Sequence, residues 1–195
     1  MPQARPEYAA GNYYHIYNRG AHRGSIFRGE KDYLRVLGLM KKYVRQFQLA
    51  IIAYVLMPNH YHFLVRQDGE KRAGYLPQYV FNSYSKYFNF RYEHSRTLFE
   101  GHYKVKLIQS EAYLLHLCRY IHGNPVKDGL VADPTDWAYS NYLEWLGQRD
   151  GTLYTPEFVS EYFASPSDYR DFVFDDLRGR DLPNDIKRYL DDFEI

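Results

Sequence analysis

Leu49-Ala50-Ile51-Ile52-Ala53-Tyr54-Val55-Leu56, then Met57-Pro58-Asn59, then His60-Tyr61-His62-Phe63-Leu64-Val65, decide how the rest of this chain is read. Two β-rich apolar runs flank a Pro-Asn pair, the pattern of an antiparallel hairpin. Side chains alternate faces along a strand, so His60 and His62 project together from one side, while Tyr61, Phe63 and Val65 take the other and can enter a core. Two imidazoles spaced about 7 Å along a strand can share one divalent ion. They can equally be partly buried, hydrogen-bonded histidines. An isolated pair does not decide between these, and a metal site needs a third ligand and a reactive group from elsewhere.

Composition narrows the search. With 195 residues, 45% of them hydrophobic, the chain can build one ordinary domain with a core and an appendage. The longest apolar run, Leu49 to Met57, is too short to span a bilayer. The first residues carry no apolar signal region, so the expectation is a cytoplasmic protein with no membrane partner. A single cysteine, Cys118, excludes an internal disulfide and any cysteine-cluster zinc site, leaving histidine, carboxylate and amide ligands. The net charge of +1 hides an asymmetry: residues 151–195 hold 11 acidic and 5 basic side chains, the first 150 hold 13 and 20. A basic body with an acidic tail suits an anionic partner, although two solvated surfaces of opposite sign fit as well. The 22 tyrosines add aromatic surface that can stack on bases between cations, or simply pack.

Around the hairpin, Tyr13 to Asn18 reads as a strand closed by Arg19-Gly20. Glu30 to Phe47 has helical spacing at Tyr33, Leu34, Leu37, Met40, Val44 and Phe47. A second helix is expected from about Leu76 to Tyr92, and Tyr103 to Ile108 alternates as a strand with lysines on one face. Ser110 is placed to cap a third helix. Gly123-Asn124-Pro125 should end it close to Gly123, because proline disfavours helical backbone at the residue before it. Tyr120 and Asn124, four apart, would then share one face of the last turn. Each has a plainer job, Tyr120 as a half-buried aromatic and Asn124 as a helix C-cap. The order β-α-β-β-α-β-α predicts an α+β fold, a ferredoxin-like antiparallel sheet with packed helices.

Tyr14-His15-Ile16-Tyr17-Asn18-Arg19-Gly20, Met57-Pro58-Asn59-His60-Tyr61-His62 and Arg119 to Val126 resemble, in order, the single-tyrosine HUH transposases, and most closely their REP-associated branch. Leu98 to Lys104, Lys127 to Val131 and Trp137 to Gly147 resemble further family stretches, so the likeness covers roughly residues 12–147. It implies a ferredoxin-like HUH palm and a metal-dependent DNA-cutting activity. His60, His62 and Asn124 would hold a divalent ion (Mg2+ or Mn2+), and Tyr120 would be the nucleophile, leaving a 5′-phosphotyrosine link. His122, two residues on, should point away from it. Two positions depart from the family pattern: Tyr61 replaces an aliphatic residue, and His102 stands where arginine is expected.

The implied partner is single-stranded or hairpin DNA, with REP-like palindromes as the model substrate and Arg19, Arg23, Lys86, Arg91, His102, Lys104 and Lys106 as candidate contacts. Both a homodimer and a monomer are compatible with the family. Residues 1–147 would form the transposase domain and 148–195 an acidic helical extension, with helices at Thr155–Phe163, Asp168–Leu177 and Asp185–Phe193, which can cover the basic body until DNA arrives. The competing readings are a non-catalytic DNA- or RNA-binding protein on the same scaffold, and an unrelated histidine metalloenzyme, for which no sequence feature speaks.

Overall fold

The computed structural model describes residues 6–179. The hairpin forms as read: β2 (Leu49–Leu56) and β3 (His60–Gln67) pair antiparallel, with an irregularity between Ile51 and Ala53. Met57 N–H donates to the His60 carbonyl at 2.9 Å, closing the turn around Pro58-Asn59. β1 (Tyr13–Arg19) pairs antiparallel with β3 on one side and with β4 (Lys104–Ile108) on the other. The strand order is therefore β2-β3-β1-β4, a ferredoxin-like sheet with the histidine strand in its interior.

The turn is held from outside. Its Pro58 carbonyl accepts from Ile26 N–H at 2.8 Å, and its Asn59 carbonyl from Gly20 N–H at 2.7 Å. Gly20 has to be glycine, since a Cβ there would lie 2.0 Å from the Gly24 carbonyl oxygen.

Alternation along the strands gives the sheet two buried faces. Tyr14, Ile16, Tyr61, Phe63 and Val65 meet α1 (Glu30–Phe47) and α2 (Tyr75–Tyr92), whose Val36, Met40, Leu76, Val80 and Phe88 are buried. Tyr17, Val55 and Leu64 meet α3 (Glu111–Lys127) on the other face. Each fully buried large apolar side chain contributes roughly 1.5–3 kcal/mol, so both layers matter to stability.

The second face is completed by later elements: α4 (Tyr142–Trp145), α5 (Pro156–Tyr162) and α6 (Pro166–Leu177) bury Trp145, Phe158, Val159, Tyr169 and Val173 with α3. α6 starts cleanly, with Ser165 Oγ accepting from Asp168 N–H and Pro166 in its first turn. The helix expected at Asp185–Phe193 lies outside the described residues. Among the described residues no helix is long and apolar enough to cross a membrane.

α3 corrects two expectations. It does not stop near Gly123 but runs to Lys127 with Pro125 inside it, and Asp128, not Asn124, is its C-cap. Ser110 sits at the N-cap without a side-chain cap hydrogen bond. A proline inside a helix forfeits one hydrogen bond and crowds the preceding turn. Here, however, Arg119 through Pro125 are all buried between the sheet and α6, so tertiary packing overrides the local preference. Gly123 lets α6 come close, since a Cβ on it would sit 3.2 Å from Leu177 Cδ2.

Candidate active site

The site grows from β3. His60 and His62 share a face, with ring centroids 5.2 Å apart and the rings nearly perpendicular. α3 crosses this face and delivers two groups from successive turns. Tyr120 sets its ring against His62, edge-on at 5.5 Å, and Asn124 brings Oδ1 to 3.0 Å from His60 Nε2. All four side chains are buried, His62 completely and Tyr120 with 5% of its surface exposed. The sequence thus placed the histidine pair, the phenol and the amide correctly on their elements.

Proton positions follow from the partners. His60 Nδ1 lies 2.7 Å from Asn59 Oδ1; in the tautomer that donates from Nδ1 to this oxygen, Nε2 keeps a lone pair. That lone pair faces the Asn124 oxygen, an arrangement that is unfavourable unless a cation sits between them or the Asn124 amide turns over. His62 Nδ1 is 3.0 Å from His15 Nε2, while His62 Nε2 is buried with no hydrogen-bond partner among the described residues. With its proton on Nδ1, His62 turns a second lone pair toward the same region. Burial pushes the His62 imidazole well below its ordinary value, with His15 and His60 adding to the effect, and lowers His60 less strongly. Neutral imidazoles are the form that binds metal. Two imidazole nitrogens and an amide oxygen therefore fit a divalent cation. No group of three or more His, Cys, Asp or Glu placed to hold an ion occurs among the described residues, so the third protein ligand here would be an amide.

Sequence reasoning missed His15. It stacks on Tyr17 at 4.7 Å and on His62 at 5.2 Å, and burial with nearby Lys106 lowers its pKa to about 3. Alternation along β1 puts His15 and Tyr17 on one face, but only the register, with Tyr17 opposite His62, brings them to the histidine pair. Lys127 was also missed. Its Nζ lies 5.3 Å over the Tyr120 ring and 2.7 Å from Asp176 on α6, and Asp176 also faces Arg119 at 3.8 Å. His122 points away from the site, as expected. Asn141 Oδ1 already accepts from Tyr54 N–H, so His122 donates to it from Nε2 and accepts from the Tyr169 hydroxyl at Nδ1.

The candidate DNA contacts do not form one cluster. Lys104 and Lys106 lie on the histidine face, with Lys104 Nζ 5.6 Å over Tyr17. Arg19 shares that face at the strand end but is bound through two hydrogen bonds to Glu100. Arg23 is exposed in a left-handed backbone conformation (φ 57°) beside the hairpin turn. Lys86 and Arg91 sit on α2, across the sheet, with Arg91 stacked on Tyr92 and 4.0 Å from Asp32. His102 is exposed just before β4.

Among solved structures, a REP-associated tyrosine transposase bound to a REP hairpin aligns with a TM-score of 0.61 at 19% identity, covering 80% of this chain and 94% of that one. A candidate transposase from Deinococcus radiodurans R1 aligns more loosely, with a TM-score of 0.42 at 16% identity over 63% of this chain and 97% of that one. The first likeness concerns the fold, and the second is too loose to carry an argument. A search of curated proteins finds no match. The family model for IS200-like transposases matches residues 9–124, from just before β1 to Asn124 itself. The chain belongs to the IS200-like transposase family.

Proposed function

We propose that this protein is a metal-dependent single-strand DNA endonuclease and strand transferase that cuts through a 5′-phosphotyrosine intermediate on Tyr120. One observation carries the reading: a single helix, α3, brings both the phenol and the amide oxygen onto the histidine pair. A nucleophile and a ligand oxygen held on one rigid element beside the same two imidazoles suit in-line phosphoryl transfer.

Tyr120 Oη would attack the scissile phosphorus, forming the Oη–P bond as the P–O3′ bond breaks and leaving a free 3′-hydroxyl. The reverse step, with a different 3′-hydroxyl attacking the link, joins strands without an external energy source. A phenol is a weak nucleophile near neutral pH, so the surroundings must favour its ionised form. The Lys127 ammonium, paired with Asp176 at 2.7 Å, is the cation beside the ring, 5.3 Å from its centroid. His60, His62 and Asn124 would hold the divalent ion, magnesium or manganese, which when bound supplies charge neutralisation at the phosphate and the departing oxygen. Asn59 and His15 would accept from Nδ1 of His60 and His62, the tautomers that leave Nε2 of each free for the ion. The substrate we propose is a DNA hairpin with unpaired flanks, of the REP type, supported by the hairpin bound to the structural neighbour.

The near-complete burial of Tyr120 favours a second reading, in which the chain binds such DNA without chemistry. Incubation of labelled hairpin oligonucleotides with wild type or Tyr120→Phe, with manganese or with chelator, separates the two on a denaturing gel. The enzyme gives a metal-dependent, protease-sensitive shifted band that the variant lacks. Tight binding with no such band on any hairpin sinks the proposal.

A further inference from the structure

Directly behind the histidine pair the sheet carries a second feature. Tyr61 lies between His60 and His62 and points to the opposite face, where it stacks on Phe81 at 4.1 Å. Beside these rings opens a cleft of about 310 Å³, between α2 and the segment leading into β4. This is at the lower end of the ~300–1,000 Å³ usual for small-ligand clefts, the size for one flat ring system rather than an extended ligand.

The cleft's chemistry is specific. Gln78, Asn82 and Ser85 line it from α2. They are spaced four and three apart, so they form one stripe along the helix. None of the three side chains has a hydrogen-bond partner among the described residues, and Gln78 and Asn82 are exposed. Phe99 and Tyr103 face them as aromatic wall, and no carboxylate lines the cleft. Asn18 holds that wall in place: its Nδ2 donates to the Gly101 carbonyl at 3.3 Å, and Gly20 bridges to Phe99. Among the described residues no lysine or arginine lines the cleft; His102 is part of its lining, and Lys86, next to Ser85 on α2, is exposed.

Neutral amides and a hydroxyl opposite aromatic rings, with the Lys86 ammonium outside, are what an unpaired nucleobase needs: hydrogen bonds to its edge, a stacking surface, and charge for a flanking phosphate. We infer that this cleft takes one unpaired base of the substrate strand, read by Gln78 and Asn82 and stacked against the Phe99–Tyr103 wall. It lies across the sheet from Tyr120, at the end where His60 begins β3, so the strand would pass around the sheet end between the two. The inference rests on the proposed single-strand DNA reading and adds where sequence preference arises.

The test reads binding, not cutting. In a Tyr120→Phe background, hairpin oligonucleotides with randomised unpaired flanks are selected by retention and sequenced, and the selection is repeated with Gln78→Ala/Asn82→Ala added and, separately, with Ser85→Leu, which fills the cleft. The parent should prefer one base at one flank position by on the order of tenfold, and both cleft variants should reduce that to about twofold. Lys86→Ala should weaken all sequences alike. The same preference in parent and cleft variants overturns the inference, as does a parent that prefers no base or retains no DNA. Set beside the denaturing gel of the protein with Tyr120 intact, an adduct there with an unaltered base preference here overturns the cleft alone, whereas a cleft-dependent preference here with no adduct there overturns the cutting reaction alone.

Discussion

Which nitrogen of each histidine carries its proton decides what the pair can hold. In the proposed site His15 would act through His62, whose Nδ1 lies 3.0 Å from the His15 Nε2. His15→Phe keeps a ring against Tyr17 and removes that hydrogen bond. It should weaken manganese binding by about 10–100-fold in titration calorimetry while leaving folding intact. Unchanged affinity would remove His15 from the site. His122 makes a different prediction. Burial holds its pKa near 4, with the Asn141 hydrogen bond opposing the shift. The unfolded chain binds the proton from about pH 6.5 downward, and the folded chain does not until about pH 4. Its contribution is therefore complete above pH 6.5 and is lost as pH falls through this window, by about 2 kcal/mol between pH 8 and pH 5 in metal-free protein. Thermal melts across that range should show a fall to which the likewise lowered His15 and His62 also contribute, and His122→Leu should make it shallower by its own share. An equal slope in the variant would assign the loss to other groups.

Among the elements, α3 is where local sequence and tertiary structure disagree. The hairpin, α1, α2 and β4 were legible because their apolar periods are clean and their ends carry turn residues. The end of α3 was not, because Gly123 and Pro125 are both local stop signals, whereas α6 and the sheet enclose the helix there from both sides. The i, i+4 pairing of Tyr120 and Asn124 survived the wrong helix end, since one further turn does not change their common face. The strand register was likewise not readable, so His15 was overlooked even though it stands in a quoted motif. The helix–helix contact makes its own prediction. Gly123→Val puts a branched side chain where Leu177 already lies within 3.2 Å of a bare Cβ. It should cost about 1–3 kcal/mol and lower the melting temperature by roughly 2–12 °C. No change in melting would mean that α6 does not dock on α3 in solution.

For the whole molecule, the sheet separates two tasks. One face and α3 carry the candidate chemistry, and the other face, with α2, carries the cleft. The described C-terminal part of the chain, α5 and α6, packs on the first of these: Asp176 pairs with Lys127 and Arg119 of α3, and Phe158, Tyr169 and Val173 complete the core beneath. A chain ending at residue 147 should therefore lose cooperative unfolding in calorimetry, whereas an extension that merely shields a basic surface would leave a sharp transition. The two readings of the family scaffold, cutting enzyme and silent binder, differ in one covalent bond. The most direct measurement is peptide mass spectrometry on protein incubated with hairpin DNA and manganese, then digested with nuclease and protease. The account predicts the peptide containing Tyr120 carrying a 5′-linked nucleotide on the phenol, absent with chelator. A nucleotide on any other residue, or none despite bound DNA, would contradict it.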